Sequence, residues 1–83
     1  MRVGVRLFAT LARYLPQDAQ GGSADLEVAE DSTVGDVAAS LGIPSDLPRI
    51  ALVNGGDAAD DHRLRPGDVL TLFPPLAGGI AVE

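Results

Sequence analysis

Hydrophobic residues alternate with polar ones from the start of the chain. Val3, Val5 and Leu7 point one way and Arg2, Gly4 and Arg6 the other, which predicts a strand with one apolar face. Phe8 falls by parity on the arginine face. Residues 9–15 (ATLARYL) set Leu11 and Leu15 four apart and predict a short helix, stopped by Pro16. The polar stretch 17–24, with Gly21-Gly22, predicts a loop. Leu26 and Val28 then alternate with Asp25, Glu27 and Ala29, as expected of a second strand with an acidic outer side.

The clearest helical pattern is 33–42 (TVGDVAASLG). Val34, Val37, Ala38 and Leu41 share one face. Thr33 suits the N-cap, and Asp36 completes an acidic version of the capping box in the first turn, where the helix dipole favours negative charge. Gly42 fits the position after the C-cap, with Pro44 beyond it. Gly35 is out of place by propensity, at a cost of roughly 0.5–1 kcal/mol relative to Ala. Ile50 to Val53 read as a short strand running into Asn54-Gly55-Gly56, a hairpin signal. Pro66-Gly67-Asp68 is a turn, Val69 to Phe73 a strong strand, and Pro74-Pro75 ends it.

The order strand, strand, helix, strand, strand predicts an α+β protein: a mixed sheet with one main helix packed on one face. Such an arrangement is a ubiquitin-like, β-grasp roll, in which the first and last strands pair in parallel. The expected organisation is a domain over residues 1–75 and a tail over 76–83.

Composition narrows the chemistry. With 83 residues, 46% of them hydrophobic, the chain has room for one domain and composition enough to fold. A net charge of −6 disfavours nucleic acid and anionic membrane as partners, since both need a basic surface. There is no Cys and no Lys, so disulfides, thiolate zinc sites and thiol or amine nucleophiles are excluded. No apolar run is long enough to span a bilayer, and MRVGVRLF lacks a signal-peptide core and cleavage site, so the expected location is the cytoplasm.

The segments VRLFATLARYL (5–15), TVGDVAASLG, ALVNG (51–55) and RLRPGDVLTLFPPLAGG (63–79) occur in an order that resembles the MoaD/ThiS family of ubiquitin-like sulfur carriers, and MoaD, the small subunit of molybdopterin synthase, in particular. A Gly-Gly pair near a chain end arises by accident in a few per cent of chains, so its weight comes from that context. Pro74-Pro75 fixes φ and favours an extended chain. From Pro74 to Gly79 such a segment reaches roughly 20 Å at about 3.3 Å per residue.

The resemblance implies a non-catalytic carrier that binds no cofactor or metal of its own. An E1-like enzyme using ATP would adenylate the carboxylate of Gly79, with Gly78 before it, and the acyl adenylate would become a thiocarboxylate. A MoaE-like large synthase subunit would then receive the sulfur. Ile80-Ala81-Val82-Glu83 depart from this pattern, because an amide at Gly79 cannot be adenylated. Cleavage between Gly79 and Ile80, of the kind a zinc-dependent JAMM-type protease performs in similar carriers, is the implied remedy.

In a β-grasp roll Phe8 and Phe73 end neighbouring strands. Both lie by parity off the core face, so with Pro74, Pro75 and Leu76 they form the candidate partner interface. Capping of the core edge is the alternative for the two rings. After Asn54-Gly55, Asp57 to Asp60 stand where the family often places an apolar contact. His62 among Asp57, Asp60 and Asp61 lacks Ca-loop spacing and reads as a solvated acidic loop. The rival functions are a carrier for thiamin, tungsten-cofactor or sulfur-metabolite assembly, a ubiquitin-like modifier conjugated through Gly79, and a plain interaction module.

Overall fold

The computed structural model describes residues 1–17 and 19–75. It is a five-stranded mixed sheet of β1 (Arg2–Leu7), β2 (Ser23–Glu27), β3 (Ile50–Val53), β4 (Gly56–Asp57) and β5 (Val69–Phe73), in the order β2-β1-β5-β3-β4. The first and last strands pair in parallel, Val5 opposite Leu70 and Leu7 opposite Leu72, while the other pairings are antiparallel. One helix, α1 (Val34–Ser40), covers one face. This is the α+β, β-grasp architecture that the element order predicts.

Alternation places the core. Val3, Val5, Leu7, Leu70, Leu72 and Ala51 are buried on the helix side of the sheet, and Val34, Val37 and Ala38 meet them from α1. Leu11, Ile43 and Leu64 close the edges of the cluster. The helical spacing in 33–42 therefore selects the buried face, except that Leu41 is only half-buried.

Three expectations shift. The helix over 9–15 is a 3-10 helix, Ala9–Tyr14. Its hydrogen bonds reach three residues back, Leu11 N to Phe8 O and Leu15 N to Ala12 O, and only Leu11 is buried to hold it. The loop predicted for 17–24 ends earlier, because Ser23 and Ala24 are drawn into β2 by pairing with Arg6 and Val5. α1 is shorter than 33–42: Leu41 is its C-cap residue and Gly42, at φ 87°, reverses the chain in the left-handed conformation. The hairpin signal is realised as a two-residue turn, with Asn54 at φ 53° and Gly55 at φ 87°. It returns the chain into β4, a strand too short for periodicity to reveal.

The start of α1 has every free donor satisfied. Val34 N donates to His62 O (3.0 Å) and Gly35 N to Asp60 O (2.8 Å). Asp36 N donates to Thr33 Oγ1 and Thr33 N to Asp36 Oδ2, the reciprocal capping box. Gly35 is explained by the same contact. A Cβ there would stand 3.3 Å from Asp60 O, so the helix gives up propensity to let the loop approach. Arg49 secures the loop from beneath: its side chain is 7% exposed, and Nη2 lies 2.8 Å from Asp60 Oδ2, while its buried Nε has no partner among the described residues.

Two stability predictions follow from this loop. Thr33→Ala removes one half of the capping box and lowers unfolding stability by about 1 kcal/mol in urea denaturation. Removing either end of the Arg49–Asp60 pair has unequal cost. Asp60→Ala leaves a buried guanidinium without its carboxylate and destabilises by about 1–2 kcal/mol, whereas Arg49→Met leaves an exposed carboxylate in water, deletes an orphaned donor and stays within about 0.5 kcal/mol of the parent. Equal losses in the two variants would contradict this.

Candidate functional site

The face of the sheet opposite α1 carries the aromatic residues. β1 turns Arg2, Gly4, Arg6 and Phe8 to this side, and β5 turns Val69, Thr71 and Phe73. The parallel register sets Leu7 beside Leu72, and Phe8 N donates to Leu72 O (3.2 Å), which extends the ladder one residue past β1. Phe8 and Phe73 therefore stand together where β5 hands the chain to Pro74 and Pro75. Phe8 is 41% exposed and Phe73 half-buried, so neither belongs to the enclosed core.

Local forces hold Phe8 in place. The Arg6 guanidinium lies 5.4 Å from its ring centroid, as residues two apart on one strand face allow, a cation–π contact worth about 0.5–1 kcal/mol at an exposed site. Ala9 follows at φ 53°, a left-handed conformation costing an L-residue roughly 1–2 kcal/mol. It swings the chain out of β1 into the 3-10 helix.

Three further residues complete the patch, and the sequence reading did not single them out. Ile50 pairs with Phe73 and Leu52 with Thr71 on the same face, both half-buried, and Val69 is 37% exposed. The signal was present in β3, where Ala51 and Val53 alternate with Ile50 and Leu52, but which pair faces the helix depends on the sheet order. The result is an apolar band around Thr71, with the Arg6 guanidinium beside it, Arg2 farther along β1 and Asp57 opposite Leu52 at its far side.

The acidic loop does other work. Asp60 is engaged by Arg49, and the His62 carbonyl caps α1. Among the described residues no group of three or more His, Asp and Glu is placed to hold a metal ion. A cleft of about 350 Å3 lies at the opposite end of the sheet from the Phe pair and includes Asn54, Asp57, Arg63, Arg65 and Asp68. Asp68 is consumed there by internal hydrogen bonds from the Asn54 amide (3.0 Å) and Arg65 N (2.9 Å), and Asn54 Oδ1 accepts from Val69 N, which makes that end a turn lock. No helix among the described residues is long and apolar enough to cross a membrane. Pro74 and Pro75 are described, half-buried and exposed. Leu76, Gly78, Gly79 and Ile80, the rest of the candidate tail, lie outside the described residues.

Known proteins match this frame. SAMP1 from Haloferax volcanii is 31% identical, with a TM-score of 0.70 over 95% of this chain and 100% of the other. The Haloferax volcanii HVO 2177 protein is 32% identical, with a TM-score of 0.74 over 95% of this chain and 87% of its own. A Pyrococcus furiosus structure described as molybdopterin converting factor, subunit 1 shares the fold at 24% identity, with a TM-score of 0.66 over 89% of this chain and 97% of the other. Among curated proteins no sequence matches. The profile of the family described as Mut7-C ubiquitin matches residues 1–78. With nearly its whole length accounted for in this way, the chain belongs to the Mut7-C ubiquitin family, a ubiquitin-like family.

Proposed function

We propose that this protein is a sulfur carrier whose working group is the carboxylate of Gly79, exposed when the bond to Ile80 is hydrolysed. The observation that carries the reading is the parallel β1–β5 pair, which gathers Phe8 and Phe73 beside the root of Pro74-Pro75. A partner gripping this band meets the stem of the tail. An extended stem ending in two side-chain-free residues suits a narrow active-site channel.

The chemistry needs little from the carrier. A carboxylate is a poor acylating agent, and attack of its oxygen on the α-phosphorus of ATP, with loss of pyrophosphate, supplies AMP as a leaving group. Hydrosulfide, from the sulfur donor, then attacks the acyl carbon, AMP leaves with the C–O bond electrons, and loss of the S–H proton gives a thiocarboxylate. Glycine at the acyl position has no Cβ to hinder either attack. ATP belongs to the activating E1-like partner. The receiving partner is a large molybdopterin synthase subunit, and thiamin, tungsten-cofactor and sulfur-metabolite assembly are alternative destinations for the same sulfur. The acidic surface suits a basic partner groove and acts chiefly on association rate, so salt slows capture.

A second reading has its own support. The similarity to SAMP1, a small archaeal modifier protein, over the whole of that chain favours conjugation of Gly79 to lysines of other proteins. With no Lys of its own, this chain cannot receive a second copy on a lysine side chain.

Mass spectrometry separates these outcomes. A chain ending at Gly79, given the host's E1-like enzyme, ATP and a sulfur donor, gains the mass difference between sulfur and oxygen, whereas the chain ending at Glu83 stays unchanged. Lysine adducts of higher mass in host cells favour the modifier, and a Gly79-ended chain that never accepts AMP overturns both readings. The interface is tested by Phe73→Ala. Affinity for the activating enzyme falls about tenfold or more in calorimetry, while the urea midpoint moves little because the ring is outside the enclosed core. A stability loss with undiminished affinity would return Phe73 to the core.

A further inference from the structure

One side of the sheet ends on β2, and among the described residues no further strand pairs with this edge. The phase of its pairing with β1 decides which backbone groups it offers. Val28 N donates to Met1 O (2.8 Å) and Leu7 N to Gly22 O (3.1 Å), so the even-numbered residues of this segment turn their N–H and C=O toward β1. Asp25 and Glu27 turn theirs outward, and among the described residues these groups have no backbone partner. Ser23 is different, because its N–H and C=O are bonded to Gln20.

A groove of about 250 Å3 adjoins this edge, between the end of β2 and α1. Val28, Ala29 and Val37 give it apolar walls, and Ser32, Asp36 and Ser40 line it with polar atoms. The serine hydroxyls already donate to Ala29 O and Val37 O, so the groove asks for apolar filling rather than for hydrogen bonds.

Charge selects the occupant. From Tyr14 to Pro48 the sequence has acidic residues and no Arg, Lys or His, and Asp25, Glu27, Glu30, Asp31 and Asp36 lie on this flank, all exposed. Only Glu27 is partly neutralised, by the Met1 ammonium (3.2 Å) and Arg2 (3.8 Å). Two copies joined along β2 would oppose carboxylates across the new ladder, so the edge rejects self-pairing. A basic strand gains what a second copy loses.

We propose that the β2 edge and its groove bind an extended, basic segment of another protein by strand addition. The added strand pairs with the outward N–H and C=O of Asp25 and Glu27. Its alternate side chains then sort themselves: small apolar ones fall on the helix side, into the groove, and Arg or Lys fall on the opposite face, beside the Asp25 and Glu27 carboxylates. This surface is distinct from the Phe8–Phe73 band and does not depend on the fate of Gly79.

The test titrates the whole chain with an end-blocked Arg-Val-Arg-Val-Arg-Val peptide, followed by amide NMR and fluorescence anisotropy. Shifts are expected over 23–29 and 34–40. Asp25→Pro removes an outward N–H without touching the β1 ladder and weakens binding by about tenfold or more, while Asp25→Asn, which keeps the N–H, weakens it less. Phe73→Ala leaves this affinity unchanged. Methylating alternate amide nitrogens of the peptide abolishes binding to the unaltered protein, an arm that stands even if Asp25→Pro fails to fold. The proposal is overturned by no binding, by shifts centred on Phe8 and Phe73, by a methylated peptide that binds equally well, or by sedimentation showing dimers joined through β2.

Discussion

The parallel contact between β1 and β5 joins the two ends of the folded domain, and most of the remaining geometry depends on it. Leu7 and Leu72 are opposite one another and fully buried, as are Val5 and Leu70 one step earlier. Burying each such side chain contributes about 1.5–3 kcal/mol before conformational entropy is set against it. The pairing fixes three things together: the helix-facing core, the pair of aromatic rings on the reverse side, and the point where the chain leaves the sheet. A slip of one residue would send Leu70 and Leu72 outward and Phe73 inward, so the core enforces the register that presents the site.

A second dependence runs through the acidic loop between β4 and β5. Its carbonyls at Asp60 and His62 complete the hydrogen bonding of α1, and Arg49 holds Asp60 from below. Loop and helix start are therefore one structural unit, anchored at Asp60. The same economy applies to Asn54 and Asp68, whose side chains close the turn at the far end of the sheet. These polar side chains are thus engaged within the loops and turns, and the apolar part of the open sheet face is the band of Phe8, Ile50, Leu52, Val69 and Phe73.

Much of this was legible in the residues. Alternation in β1 and β5, the period of α1 and its cap, and the Asn-Gly turn each express a local preference that agrees with the final packing. The 3-10 helix and the two-residue β4 were not legible, since neither is set by its own segment: one is held by Leu11 and the left-handed Ala9, the other by pairing with β3. Parity was enough to put Phe8 and Phe73 on the outer face. It could not add Ile50, Leu52 and Val69, because membership of a patch depends on which strands are neighbours. The burial of Arg49 was likewise invisible, being a matter of tertiary contact with Asp60 rather than of spacing.

Leu7 and Leu72 meet across nearly the whole length of the domain, which makes their pairing a contact of very high sequence separation. Such closures form late in folding, because the intervening chain must give up its loop entropy first. On a ribosome β1 emerges early and waits for β5 before Phe8 gains its aromatic neighbour. A truncated or half-folded copy therefore lacks the paired rings of Phe8 and Phe73 on the outer face of the sheet.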